Sequence, residues 1–286
     1  MPSRRSAMRG SRDSAPRLGE AASGEDVSSY GYGEAGVVEA LTLTHVLPRV
    51  VQHHAEPERS PKLRAKYFTT REITRFADCA VAGNTQALTD AINVARKMDV
   101  EFADIWLGLL QPAARLLGER WATDMCNFAT VTLAMCQLHS LVRTYSPLFT
   151  AVPTGPVLAH RVLLTPAGDE QHSFGCVMLS EFLRREGCDV TLGPFAGARG
   201  LQSAVRHGSF TIVGFSLSCE SKLGALAKQI ATVRRASKNP AVAILVGGHV
   251  FNEHPELVSR VGADWTARDA REAVGLLRRL EVWAES

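Results

Sequence analysis

Three short stretches carry the polar residues with the most specific spacing in this sequence: "GDEQHSFG", "FSLS" and "VGGHVF". In the first, His172 stands just past the apolar run "RVLLTPA", with the carboxylate of Glu170 two residues before it and Gly175 three after. An imidazole so placed is a loop residue, an acid–base catalyst or a metal ligand. The second stretch closes another apolar run with Ser216-Leu217-Ser218, and the third follows a further run with Gly247-Gly248. Forty residues lie between Gly175 and Ser216, and twenty-eight between Ser218 and Gly247. Several chemistries are missing from these loops. "PAGDEQHSFG" does not supply the G-x-G-x-x-G of a nicotinamide site, and the chain contains no P-loop. Phe215-Ser216 stand where a phosphorylated receiver domain would place an acid, and no nucleophile–base pair accompanies His172. His249 and His254 flank a loop without a third metal ligand and read as surface residues.

The elements that must position these residues follow from hydrophobic periodicity. "HRVLLTPA", "DVTLG", "FTIVGFSLS", "AVAILVGG" and "GADWTA" are short apolar runs. Between and after them come helix-length segments, "HSFGCVMLSEFLRREG", "ARGLQSAVRHG", "SKLGALAKQIATVRRAS" and "RDAREAVGLLRRLEVWAE". This alternation predicts an α/β domain over 157–286 with a doubly wound, parallel, five-stranded sheet. In such a sheet ligands bind outside the carboxyl ends of the strands, where all three polar stretches fall.

Upstream the period is helical. Thr69 and Glu72 have capping-box spacing ahead of "REITRFADCAVAG", and a second helix follows Gly83-Asn84. Phe102, Ile105, Trp106, Leu109, Leu110, Ala113, Leu116 and Leu117 give the i, i+3, i+4, i+7 face of a third, which Pro112 should kink or break. "NFATVTLAMCQLHSLVRTY" gives a fourth, so a helical bundle is predicted over 66–146 with "SPLFTAVPTGP" as linker. Residues 37–65 read as a short helix and a linker. Residues 1–36, rich in Ser, Gly, Arg and Ala, cannot bury enough apolar surface to offset their ordering entropy and are predicted to be a disordered tail.

Charge and cysteine usage narrow the partners. Of 32 basic and 29 acidic residues, five Arg and two acids lie within residues 1–20, leaving 27 of each sign in the rest. A neutral body argues against a large nucleic-acid footprint, so DNA contact is expected only through the basic tail or through a partner. Six cysteines without a CxxC pair favour a reducing, cytoplasmic setting, and no apolar run reaches membrane-spanning length.

The three stretches together resemble the cobalamin-binding domain family, whose signature is Asp-x-His-x-x-Gly, then Ser-x-Leu, then Gly-Gly at these spacings. The matching residues are Glu170, His172 and Gly175, then Ser216 and Ser218, then Gly247 and Gly248. The resemblance implies that His172 is the lower axial ligand of cobalt, with Glu170 fixing its tautomer. It implies that Gly175 leaves space for the displaced nucleotide tail and that Ser216 or Ser218 hydrogen-bonds its base. Gly247-Gly248 would let the backbone approach the tail. Two positions depart from the pattern: Glu170 replaces Asp, and Ser218 replaces Leu.

"LLQPAARLLGERW" is similar to the helical cap of methionine synthase and of CarH/LitR-type light-sensing regulators. In those regulators a Trp, nine residues, then Glu-His cover the upper face of adenosylcobalamin. Here Trp121 is followed at that spacing by Val131-Thr132. Loss of the Glu-His pair favours hydroxo- or aquocobalamin over the adenosyl form. "NFATVT", "EQHSFG" and "THVLPRVV" resemble most the AerR/PpaA-type antirepressors of photosynthesis genes, which bind cobalamin or heme and contact a CrtJ/PpsR-type repressor. That resemblance implies a light- or redox-responsive regulator rather than an enzyme. A heme sensor of the same fold and a corrinoid shuttle protein for a methyltransferase are the alternatives.

Overall fold

The computed structural model describes residues 67–168, 170, 173–193, 195 and 197–284, with backbone alone at 197, 198 and 280–284. The expected tail over 1–36 and the short helix and linker over 37–65 lie outside these residues, as does His172.

The described residues begin with helices α1 (Thr70–Val81) and α2 (Thr85–Lys97). The capping box at Thr69 forms as predicted. The Thr69 N–H donates to Glu72 Oε2 at 2.7 Å, and the Glu72 N–H donates to Thr69 Oγ1 at 3.3 Å. Asn84 caps α2 by accepting from the Ala87 N–H at 3.0 Å.

The third helical run does not break at Pro112. A short α3 (Phe102–Ile105) passes through a π-helical turn, Trp106–Leu110, into α4 (Gln111–Ala122). The Gln111 N–H bonds to Trp106 O, five residues back, and Pro112 falls in the first turn of α4. There the widened turn relieves the ring's clash with the carbonyl four residues earlier. The last bundle helix, α5 (Phe128–Thr150), also runs past its expected end, with Pro147 inside it. The reason lies in tertiary packing. Phe149 is 2% exposed and stacks at 4.2 Å on Trp106, so the turn beyond Pro147 is held by burial.

Five parallel strands follow, β1 (Arg161–Pro166), β2 (Asp189–Leu192), β3 (Ile212–Ser216), β4 (Ala243–Gly247) and β5 (Trp265–Ala267). Their order is β2-β1-β3-β4-β5, which places the switch point between β1 and β3. The crossovers are α6 (Phe174–Arg185), α7 (Gly197–His207) and α8 (Leu223–Ala236), and α11 (Ala270–Ala284) closes the chain. Two short helices that the periodicity did not reveal, α9 (His249–Glu253) and α10 (Leu257–Arg260), fill the connection from β4 to β5. No described helix is long and apolar enough to cross a membrane.

The bundle is not an appendage. One continuous core joins Phe76, Leu88, Leu110 and Leu138 of the helices to Val162, Leu164, Ile212, Leu245 and Trp265 of the sheet. At the join, Trp106, Phe149 and Phe182 form a three-ring cluster with centroids 4.2–6.1 Å apart. Polar contacts reinforce it. Arg271 of α11 pairs with Asp104 at 3.0 Å, and Ser146 of α5 donates to the buried Glu181 of α6. A second core, including Leu163, Val213, Phe215, Ile244 and Val246, fills the opposite face of the sheet.

Candidate functional site

Strand register brings the three polar stretches to one level. Pro166 pairs with Ser216, and Ser216 pairs with Gly247, so the loops after β1, β3 and β4 leave the sheet at the same rung. Backbone bonds extend this alignment one residue further. The Ala167 N–H donates to Ser216 O, and the Leu217 N–H donates to Gly247 O, both at 2.9 Å. The loops therefore flank the β1/β3 switch point at the carboxyl ends of the strands, where an open α/β sheet offers a ligand crevice.

Glu170 ties the first loop to the second. Its side chain is buried, and Oε2 accepts the Ser218 N–H at 3.2 Å. Its own N–H donates to Ala167 O at 2.9 Å, closing a turn, while the Gly168 N–H donates to Gln229 Oε1 of α8 at 2.8 Å. The expected partnership of Glu170 with the ring of His172 falls outside the described residues. The Ser218 contact leaves capacity for it, because an ionised carboxylate offers several acceptor sites. Glu170→Ala is expected to cost about 1–3 kcal/mol by unpairing the Ser218 amide, with faster hydrogen exchange at that amide as the local readout.

Leu217 is fully buried in the second core, so strand alternation turns Ser216 and Ser218 away from that core. Ser216 faces the start of α6. A methyl group at Gly175 would stand 3.6 Å from Ser216 Oγ, so the glycine holds open the gap between helix and strand end. The next residue, Cys176, is buried, and burial pushes its thiol up to about 12 despite hydrogen bonds with Ser216. That thiol stays protonated and acts as a filler beneath the gap.

The glycine pair divides into two roles. Gly247 has room for a methyl group, whose nearest neighbour would be Ala267 O at 3.5 Å. Gly248 has none: a Cβ there would lie 2.3 Å from Leu217 O, and its φ is +107°. Gly248 is thus required by its own fold, whatever binds beside it.

The cap residues form a separate group. Trp121, in the last turn of α4, is 43% exposed and meets Phe128 edge-on at 6.5 Å. Val131 is half-buried and Thr132 exposed. Met125, Phe128 and Leu133 are also exposed, which makes this corner apolar. Among the described residues, neither Trp121, Val131 nor Thr132 makes a hydrogen bond or ring contact with the motif loops.

The cap instead reaches the β1 loop through His139, a residue that no sequence motif singles out. His139 of α5 packs edge-on against Phe174, the first residue of α6, with ring centroids 5.1 Å apart at 87°. Burial, with a smaller contribution from Arg143, holds its imidazole below the ordinary histidine range. The available signal was its place seven residues after Thr132, two turns along the same helix face. No group of three or more His, Cys, Asp or Glu suited to a metal occurs among the described residues. A lone axial histidine would not form one.

Comparison with known proteins agrees with this geometry. Residues 160–277 match the family described as B12 binding domain, and residues 72–136 match a second family model with the same description. The chain is 28% identical over 157 residues to the "Uncharacterized 20.5 kDa protein in bchF-crtJ intergenic region" of Rhodobacter capsulatus, covering 55% of this chain and 81% of that one. Among solved structures, the Methanosarcina barkeri monomethylamine corrinoid protein superposes with a TM-score of 0.60 at 16% identity. The superposition covers 75% of this chain and 100% of the other, and it bears out the predicted fold. The α/β half, over residues 160–277, is thus a B12 binding domain, and residues 72–136 of the bundle match a companion model of the same description.

Proposed function

We propose that this protein is a cobalamin-binding, light- or redox-responsive regulator that acts as an antirepressor by contacting a CrtJ/PpsR-type repressor. The observation that carries the cofactor reading is the common rung of Pro166, Ser216 and Gly247, with Gly175 open toward Ser216. The residues fit a corrinoid. At the strand ends, where a nucleotide tail would lie, positions 175 and 247 carry no side chain, and a methyl there would meet only Ser216 Oγ at 3.6 Å and Ala267 O at 3.5 Å. The regulatory reading is supported by the relative whose gene lies between bchF and crtJ, since the antirepressor resemblance names a CrtJ-type partner.

In this reading His172 would ligate the cobalt, and Glu170 ties the loop after β1 to the loop after β3 through Ser218. Ser216 and Ser218 offer hydrogen bonds to the base, and Gly247 lets the backbone come close. Trp121, Val131 and Thr132 would cover the corrinoid's other side from the cap. Hydroxo- or aquocobalamin, lacking the bulky adenosyl group, suits a corner without the Glu-His pair. When bound, the group would supply a cobalt centre whose chemistry responds to light or redox state. The exposed corner at Trp121, Met125, Phe128 and Leu133 then differs between the two states, and the repressor binds one state more tightly.

The test is the visible absorption spectrum of wild type and His172→Ala after mixing with hydroxocobalamin, adenosylcobalamin or heme, in darkness and after illumination, then desalting. Wild type is expected to retain hydroxocobalamin, and the variant to lose it, with affinity down at least about tenfold. Retention of heme alone would replace the cofactor, and retention of nothing would end the reading. Release of a CrtJ/PpsR-type repressor from DNA by the loaded protein tests the antirepressor step. Dependence on a methyltransferase instead would favour a corrinoid shuttle.

A further inference from the structure

We infer that His139 is a positioning residue for the cofactor-binding loop after β1, holding it in place through Phe174. This rests on the corrinoid reading above and assigns a role that neither the motif nor the cap signature contains. The two ends of the loop are anchored by different means. At its start, the Ala167 N–H bonds to Ser216 O, the Gly168 N–H bonds to Gln229, and Glu170 accepts from Ser218. At its end the chain enters α6 at Ser173, whose side chain makes no capping hydrogen bond. The anchor there is Phe174, 7% exposed, set into the shared core with the His139 ring edge-on to it at 5.1 Å. One end of the loop is therefore held by the sheet and α8, and the other by a cap helix. His172 stands two residues before Phe174 in the sequence, so a change at Phe174 is expected to reach the proposed ligand through that short tether.

The contact is a perpendicular pairing of two rings, so Phe should replace His at this position and Ala should not. Two measurements on the full chain test this. In the cofactor-free protein, the Val177 N–H forms the first turn of α6 by donating to Ser173 O at 3.0 Å. His139→Ala is expected to speed its hydrogen exchange about three- to tenfold, the size of one lost aromatic pair, and His139→Phe to restore it. In the loaded protein, His139→Ala is expected to release hydroxocobalamin faster by a similar factor and to shift its visible bands. His139→Phe should again restore both. His139→Leu, which fills the space without an aromatic edge, replaces Ala if that variant does not fold. Unchanged Val177 exchange in His139→Ala overturns the inference, as does loss in the Phe variant equal to that in Ala. Faster exchange with unaltered spectrum and release rate overturns it too, while leaving the corrinoid reading intact. Failure of wild type to retain any corrinoid removes the reading and this inference with it.

Discussion

Gly248→Ala is expected to destabilise the protein by about 3–5 kcal/mol, measurable as a lower midpoint in urea with little change in slope. Two costs combine. The backbone at φ +107° and ψ 178° lies in a region open essentially to glycine alone, which costs a substituted residue about 1–3 kcal/mol. The added methyl would also stand 2.3 Å from Leu217 O, 2.9 Å from its C and 3.0 Å from its N. That backbone cannot retreat, because the Leu217 N–H is bonded to Gly247 O and its side chain is buried in the second core. The neighbouring substitution should behave in the opposite way. Gly247→Ala meets only ordinary contacts, and a Gly→Ala change at a compatible position gains about 0.4–1 kcal/mol through the unfolded chain. If the corrinoid reading holds, Gly247→Ala folds normally and retains hydroxocobalamin poorly. A destabilised Gly247→Ala, or a stable Gly248→Ala, would reverse these assignments.

The pair also shows where sequence reasoning reaches its limit. "VGGHVF" marks two adjacent glycines on a loop past a strand, and nothing local separates the one that faces a ligand from the one pressed on another loop. The separation comes from Leu217, which is thirty residues upstream of Gly247 and delivered by the β3–β4 pairing. The strands were legible because their apolar runs are too short for a buried helix and are bounded by turn residues on both sides. The β1, β3 and β4 motifs were legible because a parallel sheet sends every carboxyl end to one side. Pro112 did not break its helix and Pro147 did not end its own, for a common reason. A proline's local preference for ending a helix yields when a π-turn accommodates the ring, as at Trp106–Leu110, or when a residue beyond it is deeply buried, as Phe149 is. His139 was hidden because its partner, Phe174, belongs to the other half of the chain. A half-buried histidine on a helix carries no sign of what packs against it.

The largest packing effect is expected at Trp106, and its outcome bears on how the protein can signal. Trp106→Ala should cost about 3–5 kcal/mol, since the ring is fully buried against Phe149 and Phe182 where bundle and sheet share a core. Trp106→Phe should cost about 1 kcal/mol, because among the described residues the buried Nε1–H has no hydrogen-bond partner whose loss would add to the change in volume. In both variants thermal unfolding should remain a single transition by far-UV circular dichroism and by calorimetry, at a lower temperature. Two separated transitions would mean that the bundle folds and opens on its own. With the shared core intact, a hinged lid is excluded by cost. Swinging the bundle away would expose Trp106, Phe149 and Phe182 and break the Asp104–Arg271 and Ser146–Glu181 contacts together. Any response to a bound group must then arise at the other end of α4, where Trp121 and Phe128 are exposed and no core holds them. The π-turn at Trp106–Leu110 belongs to the fixed end, and Ala113 and Leu117 beyond it are buried in the same core, so a small bend would be confined to the last turn of α4.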